Sequence, residues 1–476
     1  MASSPTDMNA LTAAAATLSV APGASSPASA ASAAAAAAAA PSSAGFVGAY
    51  PRVDLSTVPN PCAHVVAVPV RQMDFGVPRR AVRFEDGWDY FRRIGQPRFV
   101  CAPMVNQSEL PFRMLCRKYG TTLAYTPMFH AEIFGKNPTY RSDQMQVPPI
   151  PASDRPLVAQ FCGNDPQLLL KAAKHVEHLV DAVDINLGCP QGIAKRGHYG
   201  SFLLEESQLL HDIVSTLHQH LSIPVTCKIR RLATDEATIA LVKMLEEAGA
   251  HLITIHGRTR HQLKDKVGAC DFDLIRLVKQ NARVPVFANG GIFSFDDVQR
   301  CLAYTGVDGV MSSEALLCNP TLFADPASPL GFPSGRKDSR SVAREYLAIV
   351  GELEAQKIAT DHAAIRAHLF KILYQHISLE RNFDLRDELA HCEPSQFGAV
   401  LDAICARFAD RSEEEVQAEL NTVPLWYHRH QKTEAQIKAA AEKEARKQAE
   451  REALADADDG FSIFSEDECG GDGCAQ

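Results

Sequence analysis

The stretch PVTCKIRRLATDEATIALVKMLEEAGAHLITIHGR (224–258) combines two apolar runs with a helical pattern between them. Both runs are rich in β-branched residues, as strands commonly are. Between the runs, apolar residues recur at helical spacing and stop before Gly249, where a helix would end. Those residues are Ala237, Leu241, Met244, Leu245 and Ala248. The stretch therefore predicts a strand, a helix and a second strand, which is the unit of a parallel sheet.

The same unit recurs from Phe99 to Leu317, where eight apolar runs alternate with helical patterns. The runs are continuously apolar, which is typical of parallel strands buried on both faces. Eight such units predict an α/β fold, a (β/α)8 TIM barrel. A Rossmann-like open sheet is the alternative, but no G-x-G-x-x-G follows the first run. The runs are FVCAPM (99–104), LAYTPM (123–128), LVAQFCG (157–163), AVDINLG (182–188), PVTCKIR (224–230), LITIHGR (252–258), PVFANGG (285–291) and DGVMSSE (308–314).

Two more helices are indicated inside this region, and only helices are indicated after Pro326. Ser294 and Asp297 have the spacing of a capping box. An apolar stripe precedes the fourth run, and two more stripes follow the last run, which predicts a small all-helical domain after the barrel. The first stripe contains Leu169, Ala172, Ala173, Val176, Leu179 and Val180, the second Leu347, Val350 and Leu353, and the third Ile365, Leu369, Ile372 and Leu373.

Length and composition are consistent with two or three folded units and two unfolded ends. The chain has 476 residues, of which 46% are hydrophobic and 22% are charged, as in globular proteins. Residues 1–50 contain 21 alanines and nine serines, which offer too little apolar area for a core. The predicted segments are a disordered tail (1–50), an irregular lead-in (51–95), the barrel (96–335), the helical domain (336–425), a charged helical extension (426–455) and an acidic disordered tail (456–476).

The net charge of −9 comes mostly from the last segment, which contains seven acidic residues and no basic one. Without residues 456–476, 48 basic residues face 50 acidic residues. The total charge therefore neither indicates nor excludes a nucleic-acid partner. No apolar run is long enough to cross a bilayer, which argues against an integral membrane protein.

The thirteen cysteines show no C-x-x-C spacing of the kind that binds zinc, so no metal site is predicted. The first basic residue is Arg52, so the N-terminus lacks the charged region of a secretory signal. We therefore expect reduced thiols and a location in the cytoplasm, the nucleus or both.

Polar or glycine-rich groups occur at the ends of six consecutive predicted strands. In a barrel of this type the C-terminal strand ends surround the active site, so these groups are expected to converge on one cavity. The groups are Gln160, Asn186 with Cys189, Lys228 with Arg230, His256 with Arg258, Asn289-Gly290-Gly291, and Ser313-Glu314.

Several of these residues also have an ordinary structural explanation. A buried cysteine is usually inert, but Cys189 follows Leu-Gly and precedes proline, which predicts a loop position just past a strand. Lys228 interrupts an apolar strand, although lysine is rarely buried without a partner. Asn289-Gly290-Gly291 could be only a tight turn, but the loop after strand seven is a common phosphate site in this fold.

The sequence resembles the tRNA-dihydrouridine synthase family over roughly residues 95–420. The fragments YTPMFHAE (125–132) and KRGHYG (195–200) resemble the eukaryotic branch that acts on uridines 16 and 17. The resemblance implies an FMN-bearing barrel, a helical tRNA-binding domain, NADPH or NADH as reductant, and tRNA as partner. We expect a monomer. The motifs that carry the resemblance are APMVNQSELPFR (102–113), AQFCGNDP (159–166), DINLGCPQGIAKRGHYG (184–200), CKIR (227–230), IHGRTR (255–260) and FANGGI (287–292).

The resemblance also implies roles for individual residues. Cys189 would be the proton donor, and Asn186 and Arg230 would help to position the uracil. Independently of the resemblance, Lys195, Arg196, His198, Arg258 and Arg260 are expected on loops at the mouth of the barrel, where they are candidates for contacts with RNA phosphates. The residues expected to bind FMN are Pro103, Met104, Val105, Gln160, Lys228, His256, Asn289, Gly290, Gly291, Ser313 and Glu314.

One position departs from the family pattern. Many bacterial members have Gly-Arg after strand eight, whereas this chain has Ser313-Glu314. Because a carboxylate is unfavourable beside a phosphate, we expect Glu314 to point away and backbone N–H groups to bind the phosphate.

The implied chemistry is the reduction of the 5,6 double bond of uracil. It needs a hydride at C6, which reduced flavin can supply, and a proton at C5. A thiol with its ordinary pKa of about 8.5 is mostly protonated at neutral pH and can act as the acid. Two alternatives remain: a flavin enzyme acting on a free pyrimidine, and a non-catalytic tRNA-binding protein.

Overall fold

The computed structural model describes most of the chain between residues 86 and 428. The predicted tails, 1–50 and 456–476, lie outside the described residues, and so do residues 51–85 and 429–455. The described ranges are 86–145, 152–263, 266–329, 331–332 and 334–428.

Eight parallel strands form a closed barrel in which each strand pairs with its neighbours in sequence. The last strand pairs with the first, with Phe99 opposite Val310 and Cys101 opposite Ser312. The prediction of a (β/α)8 barrel is therefore confirmed. The strands are β1 (Phe99–Cys101), β2 (Leu123–His130), β3 (Leu157–Cys162), β4 (Ala182–Leu187), β5 (Val225–Arg230), β6 (Ala250–His256), β7 (Val286–Asn289) and β8 (Gly309–Ser312).

The first helix precedes β1, and the other helices lie between the strands or after β8. Ser294 and Asp297 form the predicted capping box at the start of the helix after β7. None of the helices in the described residues is long and apolar enough to span a membrane. The helices are α1 (Gly87–Arg93), α2 (Leu110–Lys118), α3 (Ala131–Lys136), α4 (Pro138–Met145), α5 (Pro166–Val176), α6 (Gly192–Arg196), α7 (Ser207–His220), α8 (Asp235–Glu247), α9 (Phe272–Asn281), α10 (Phe295–Thr305), α11 (Glu314–Cys318), α12 (Ser339–Ala355), α13 (His362–Ile372), α14 (Tyr374–Ile377), α15 (Phe383–His391), α16 (Phe397–Ala406) and α17 (Glu413–Leu420).

Helix α1 corrects the prediction that residues 51–95 are irregular throughout. The Asp86 carboxylate accepts a hydrogen bond of 2.7 Å from the backbone N–H of Asp89, which caps the helix. Tyr90 and Phe91 are buried, and the Phe91 ring lies 6.1 Å from that of Phe287. Burial of these two aromatic side chains against the barrel stabilises a helix that is too short to be stable alone.

The interior of the barrel changes from apolar to polar along the strands. An apolar cluster, which includes Tyr90 and Phe91 of α1, fills the N-terminal part. One step further along the strands lie Gln160, Asp184 and Thr226, which stand opposite one another in the sheet register. Hydrocarbon therefore closes the N-terminal part, and polar groups occupy the C-terminal part. The apolar strand residues are Val100, Ala102, Leu123, Tyr125, Val158, Ala182, Leu252, Phe287 and Met311.

The helical region is tied to the barrel by a buried carboxylate. Glu109, just before α2, accepts a 2.7 Å hydrogen bond from the Tyr346 hydroxyl of α12. Its other oxygen lies 2.9 Å from Nε2 of His368 on α13, whose ring stacks on that of Phe112. Burial alone would raise the pKa of Glu109, but the interactions with His368 and Tyr346 outweigh it and lower the pKa.

We expect Glu109→Ala to lower the free energy of unfolding by about 3 kcal/mol, because it leaves two buried polar side chains without their partner. Since the pKa of Glu109 is lowered, its stabilising contribution is present at neutral pH and is lost as the pH falls below about 4. Chemical denaturation of both proteins at pH 7 and at low pH measures the difference. Glu132→Ala is the control, since its ion pair with Lys136 is exposed. An equally stable Glu109→Ala variant would contradict this account.

Candidate active site

A hydrogen-bonded network lies at the centre of the polar layer. The Asp184 carboxylate accepts hydrogen bonds from Thr226 Oγ1 at 2.6 Å and from Gln160 Nε2 at 2.8 Å. All three side chains are buried. Burial raises the pKa of Asp184 to about 6, although the two hydrogen bonds and the charge of Lys228 oppose the increase. The network thus places a buried acid at the base of the site.

Asn186 connects this network to the loop that carries Cys189. Its Nδ2 donates to Gln160 Oε1 at 2.8 Å, and its Oδ1 accepts from the backbone N–H groups of Gly188 and Cys189 at 3.2 and 2.9 Å. The carbonyl of Cys189 in turn accepts from the backbone N–H of Ser201 at 3.1 Å. The Cys189 side chain is partly exposed, so a thiol stands on a well-anchored turn at the mouth of the barrel.

Lys228 points across the mouth to the end of β7. Its Nζ donates a 2.9 Å hydrogen bond to Asn289 Oδ1, and Asn289 Nδ2 donates to the carbonyl of Met311 on β8. Burial, and then the nearby charge of Arg230, lower the pKa of Lys228 to about 8. At neutral pH the side chain is therefore mostly cationic and is held in one direction.

The two glycines after Asn289 permit close packing, Gly290 against His256 and Gly291 against Cys270 and Phe272. Gly290 has a φ of +95°, and a Cβ atom there would lie 2.6 Å from the His256 ring. Gly291 has a φ of +73°, so both residues adopt a conformation that favours glycine. Burial, followed by the charges of Arg230 and Lys228, lowers the pKa of His256 well below its usual value. The ring is consequently neutral at physiological pH.

Two of the arginines predicted to contact RNA or to position the substrate instead support loops. Arg230 Nε donates to the Gly188 carbonyl at 2.7 Å, and its Nη1 donates to the Thr259 carbonyl at 2.8 Å. Arg258 is only 5% exposed, and its Nη2 donates to the Gly268 carbonyl at 2.9 Å. The guanidinium of Arg258 thus holds the loop after β6, and a contact of Arg258 with RNA stays a prediction.

The other predicted residues lie around the same opening. Lys195 and Arg196 are exposed on α6, whereas Arg260 is paired with Glu205 at 3.0 Å. The structure thus brings the predicted residues to one end of the barrel. Pro103, Met104 and Ser313 are partly exposed there, and Val105, Gly290, Gly291 and Glu314 border the opening with different degrees of exposure.

Sequence reasoning missed Asp184 and Thr226. Both lie inside the quoted strand runs, and Asp184 is an acidic residue in an otherwise apolar stretch. That interruption is the same signal that singled out Lys228, and it could have identified Asp184. Thr226 offers no such signal, since threonine is common in strands.

Three cationic side chains lie near His256 at the strand ends. Lys228, Arg230 and Arg258 converge there, and burial together with the charge of Arg258 lowers the pKa of Arg230 to about 10. The lowered pKa values of Lys228 and Arg230 partly reflect repulsion between like charges. An anionic ligand would relieve that repulsion, so the electrostatics of the site suit a ligand that carries a phosphate.

Comparison with known proteins gives a consistent result. The family model described as dihydrouridine synthase (Dus) matches residues 100–409. The chain is 45% identical over 314 residues to tRNA-dihydrouridine(16/17) synthase (NAD(P)(+)) of Schizosaccharomyces pombe, covering 65% of this chain and 77% of that protein. The protein of the same name in Saccharomyces cerevisiae is 45% identical over 309 residues, covering 64% of this chain and 71% of that protein.

A relative that is named for other tRNA positions is less similar to this chain. The human tRNA-dihydrouridine(20a/20b) synthase-like protein is 39% identical over 233 residues, which cover 48% of this chain and 72% of that protein. The match to the 16/17 proteins is thus both longer and closer than the match to this protein.

We expect Gly290→Ala to destabilise the protein by about 2 kcal/mol, because the new Cβ would strain the backbone and collide with His256. Thermal and chemical unfolding of the purified variant measure the loss. Gly351→Ala in α12 is a matched control: a Cβ there meets nothing within 4 Å, and alanine favours the helix. Equal stability of Gly290→Ala and the wild type would show that the loop has room for a side chain.

Proposed function

The chain belongs to the dihydrouridine synthase family, and from this we propose that it reduces uridine 16, uridine 17 or both to dihydrouridine in the D-loop of tRNA. The observation that carries the proposal is the partly exposed Cys189 thiol, anchored on a turn beside the cationic strand ends. The names of the two yeast proteins specify positions 16 and 17, which supports this choice of positions.

The residues at the strand ends fit an FMN. Gly290 and Gly291 are partly exposed and have positive φ angles, and glycines in such a loop can turn backbone N–H groups towards a phosphate. Lys228 adds a positive charge deeper in the mouth. Glu314 is exposed as the first residue of α11, which is compatible with phosphate binding through backbone groups.

We assign the flavin contacts to residues at the C-terminal strand ends and just below them. Bound in its reduced form, the flavin would supply the hydride for C6 of uracil. NADPH or NADH would restore the reduced form, in line with the NAD(P)(+) in the relatives' names. Gln160, Lys228 and His256 would contact the ring system, Asn289, Gly290, Gly291 and Ser313 would hold the phosphate end, and Pro103, Met104 and Val105 would line the opening from the side of β1.

The chain itself would supply the proton for C5. Cys189 is the candidate acid because its thiol is accessible while its backbone is fixed on both sides, through Asn186 and Ser201. Arg230 holds the carbonyl of Gly188, so it supports the same turn from β5. Asn186 and Arg230 would therefore influence the uracil mainly by positioning the Cys189 turn.

The surface around the opening also fits an RNA. Within the described ranges, four large hydrophobic side chains are exposed, and three of them follow β1, β2 and β4: Val105, Ile133 and Ile193. All three strands end at the same end of the barrel. Next to Ile193 on α6 lie the exposed Lys195 and Arg196. Cations would bind phosphates there, and apolar side chains would contact bases that are unstacked when the target uridine is flipped out.

Two alternatives make different predictions. An enzyme that acts on a free pyrimidine would not need exposed apolar and cationic groups around its opening, and it would reduce or oxidise the free base without RNA. A non-catalytic tRNA-binding protein would purify without a flavin. Visible absorbance of the purified protein and an assay with free pyrimidines therefore separate the three functions.

We expect Cys189→Ala to lower the rate of dihydrouridine formation by at least about a hundredfold, since a general acid contributes that much or more. Mass spectrometry of tRNA from cells that lack the protein, complemented with each form, measures the modification at positions 16 and 17. Cys405→Ala is the control, because Cys405 is also partly exposed but lies in α16, outside the site. Full complementation by Cys189→Ala would overturn the assignment of the acid.

We expect Ile193→Ser to lower kcat/KM for tRNA by about fivefold, because a polar side chain would lose an apolar contact with the displaced bases. Ile193 is 57% exposed, so the substitution removes little packing within the protein. Stopped-flow reduction of the flavin by NADPH should proceed at the wild-type rate, since that step does not involve RNA. Unchanged kcat/KM for tRNA would show that Ile193 does not contact the substrate.

A further inference from the structure

A single directional chain of hydrogen bonds connects the buried acid to the Cys189 turn. Gln160 Nε2 donates to Asp184, Asn186 Nδ2 donates to Gln160 Oε1, and the backbone N–H groups of Gly188 and Cys189 donate to Asn186 Oδ1. Each of the two carboxamides thus accepts hydrogen bonds from the side of the Cys189 turn and donates a hydrogen bond in the direction of Asp184.

The two ends of this chain determine its direction. An ionised carboxylate can only accept hydrogen bonds, so Gln160 must present its NH2 group to Asp184. Gln160 then presents its oxygen to Asn186, which must donate through Nδ2. The oxygen of Asn186 is left facing the turn, where the two backbone N–H groups can only donate. Both carboxamides therefore have one orientation that satisfies every partner.

We propose that Asp184 is a positioning residue that acts through Gln160 and Asn186 to hold the Cys189 turn. Its carboxylate fixes the orientation of both carboxamides, so that the Asn186 oxygen always faces the N–H groups of the turn. An effect of Asp184 on proton transfer from Cys189 rests on the proposed function, whereas its anchoring of the Cys189 turn does not.

An uncharged side chain at position 184 would not impose this direction. The carboxamide introduced by Asp184→Asn could donate to Gln160 as well as accept from it. If Gln160 turned over, its NH2 group would face Asn186, and Asn186 could turn in the same way. The Asn186 NH2 group would then face the N–H groups of Gly188 and Cys189, and the turn would lose two hydrogen bonds. The wild-type chain has an acid at this position although burial opposes its charge.

The test measures how accessible the Cys189 thiol is, independently of any enzymatic activity. Full-length protein is treated with iodoacetamide, and peptide mass spectrometry follows the alkylation of each cysteine with time. We expect Asp184→Asn to increase the alkylation rate of Cys189 by about fivefold, which corresponds to the loss of about 1 kcal/mol of anchoring. The rate at Cys405, which is partly exposed in α16, should not change.

Thr226→Val is the matched control variant. It removes the other hydrogen bond to Asp184 but leaves the direction of the chain intact, because the carboxylate still only accepts. We expect the alkylation rate of Cys189 to stay within about twofold of the wild type. An increase as large as that in Asp184→Asn would show that general loosening of the network, and not its direction, exposes the thiol.

A double variant tests the direction itself. When Asp184→Asn is combined with Asn186→Asp, the carboxylate is at position 186, where it can accept from Gln160 and from both N–H groups of the turn. The carboxamide at position 184 can accept from Thr226 and donate to Gln160, so every partner is again satisfied. We expect the Cys189 alkylation rate to return to within about twofold of the wild type.

The outcomes separate this proposal from the proposed function. A wild-type rate in Asp184→Asn, or a double variant as reactive as Asp184→Asn, would overturn the positioning role. If Asp184→Asn does not fold, a folded double variant with the wild-type rate supports the proposal, and failure of both variants to fold overturns it. Absence of dihydrouridine synthesis by the wild type, together with the expected alkylation rates, would refute the proposed function and leave the positioning role standing.

Discussion

Pairing of β8 with β1 is the constraint on which the site depends. It sets Cys101 beside Ser312, so that the loops after the first and last strands lie next to each other instead of at opposite edges of an open sheet. Because all eight strands are parallel, their C-terminal ends form one ring. Residues that are far apart in the sequence, such as Gln160 and Asn289, thereby reach the same opening. The apolar layer at the other end then confines polar chemistry to this ring.

Within the ring, one group of residues forms a directional chain of hydrogen bonds, and another group carries positive charge. The buried acid and two carboxamides form a directional chain that ends at the backbone of the Cys189 turn. Lys228 instead faces Asn289 on the opposite side, and the arginines support neighbouring loops. One side of the opening therefore holds a thiol in place, while the other side provides positive charge, which on the proposed function would face the anionic flavin cofactor. The two sides meet at the β4–β5 pairing of Asn186 with Lys228.

The strands and most strand-end residues could be predicted from the sequence because their signals are local. Apolar runs identify strands, and a lysine or a cysteine beside such a run is conspicuous. The burial of Arg258 could not be predicted, since it depends on the Gly268 carbonyl from a loop folded back over it. Helix α1 was missed because its stability comes from contacts with the distant β7. The contact of Glu109 with His368 joins positions far apart in the chain, and a single sequence gives no sign of it.

The closure of the barrel base by α1 has a kinetic consequence. Tyr90 and Phe91 belong to the cluster that fills that end, so within the described residues the polar layer faces the opening at the C-terminal strand ends. On the proposed function, the nicotinamide nucleotide and the RNA both reach the flavin through that opening. Sharing one opening, the two would compete for access to the flavin. Turnover would then alternate between two half-reactions.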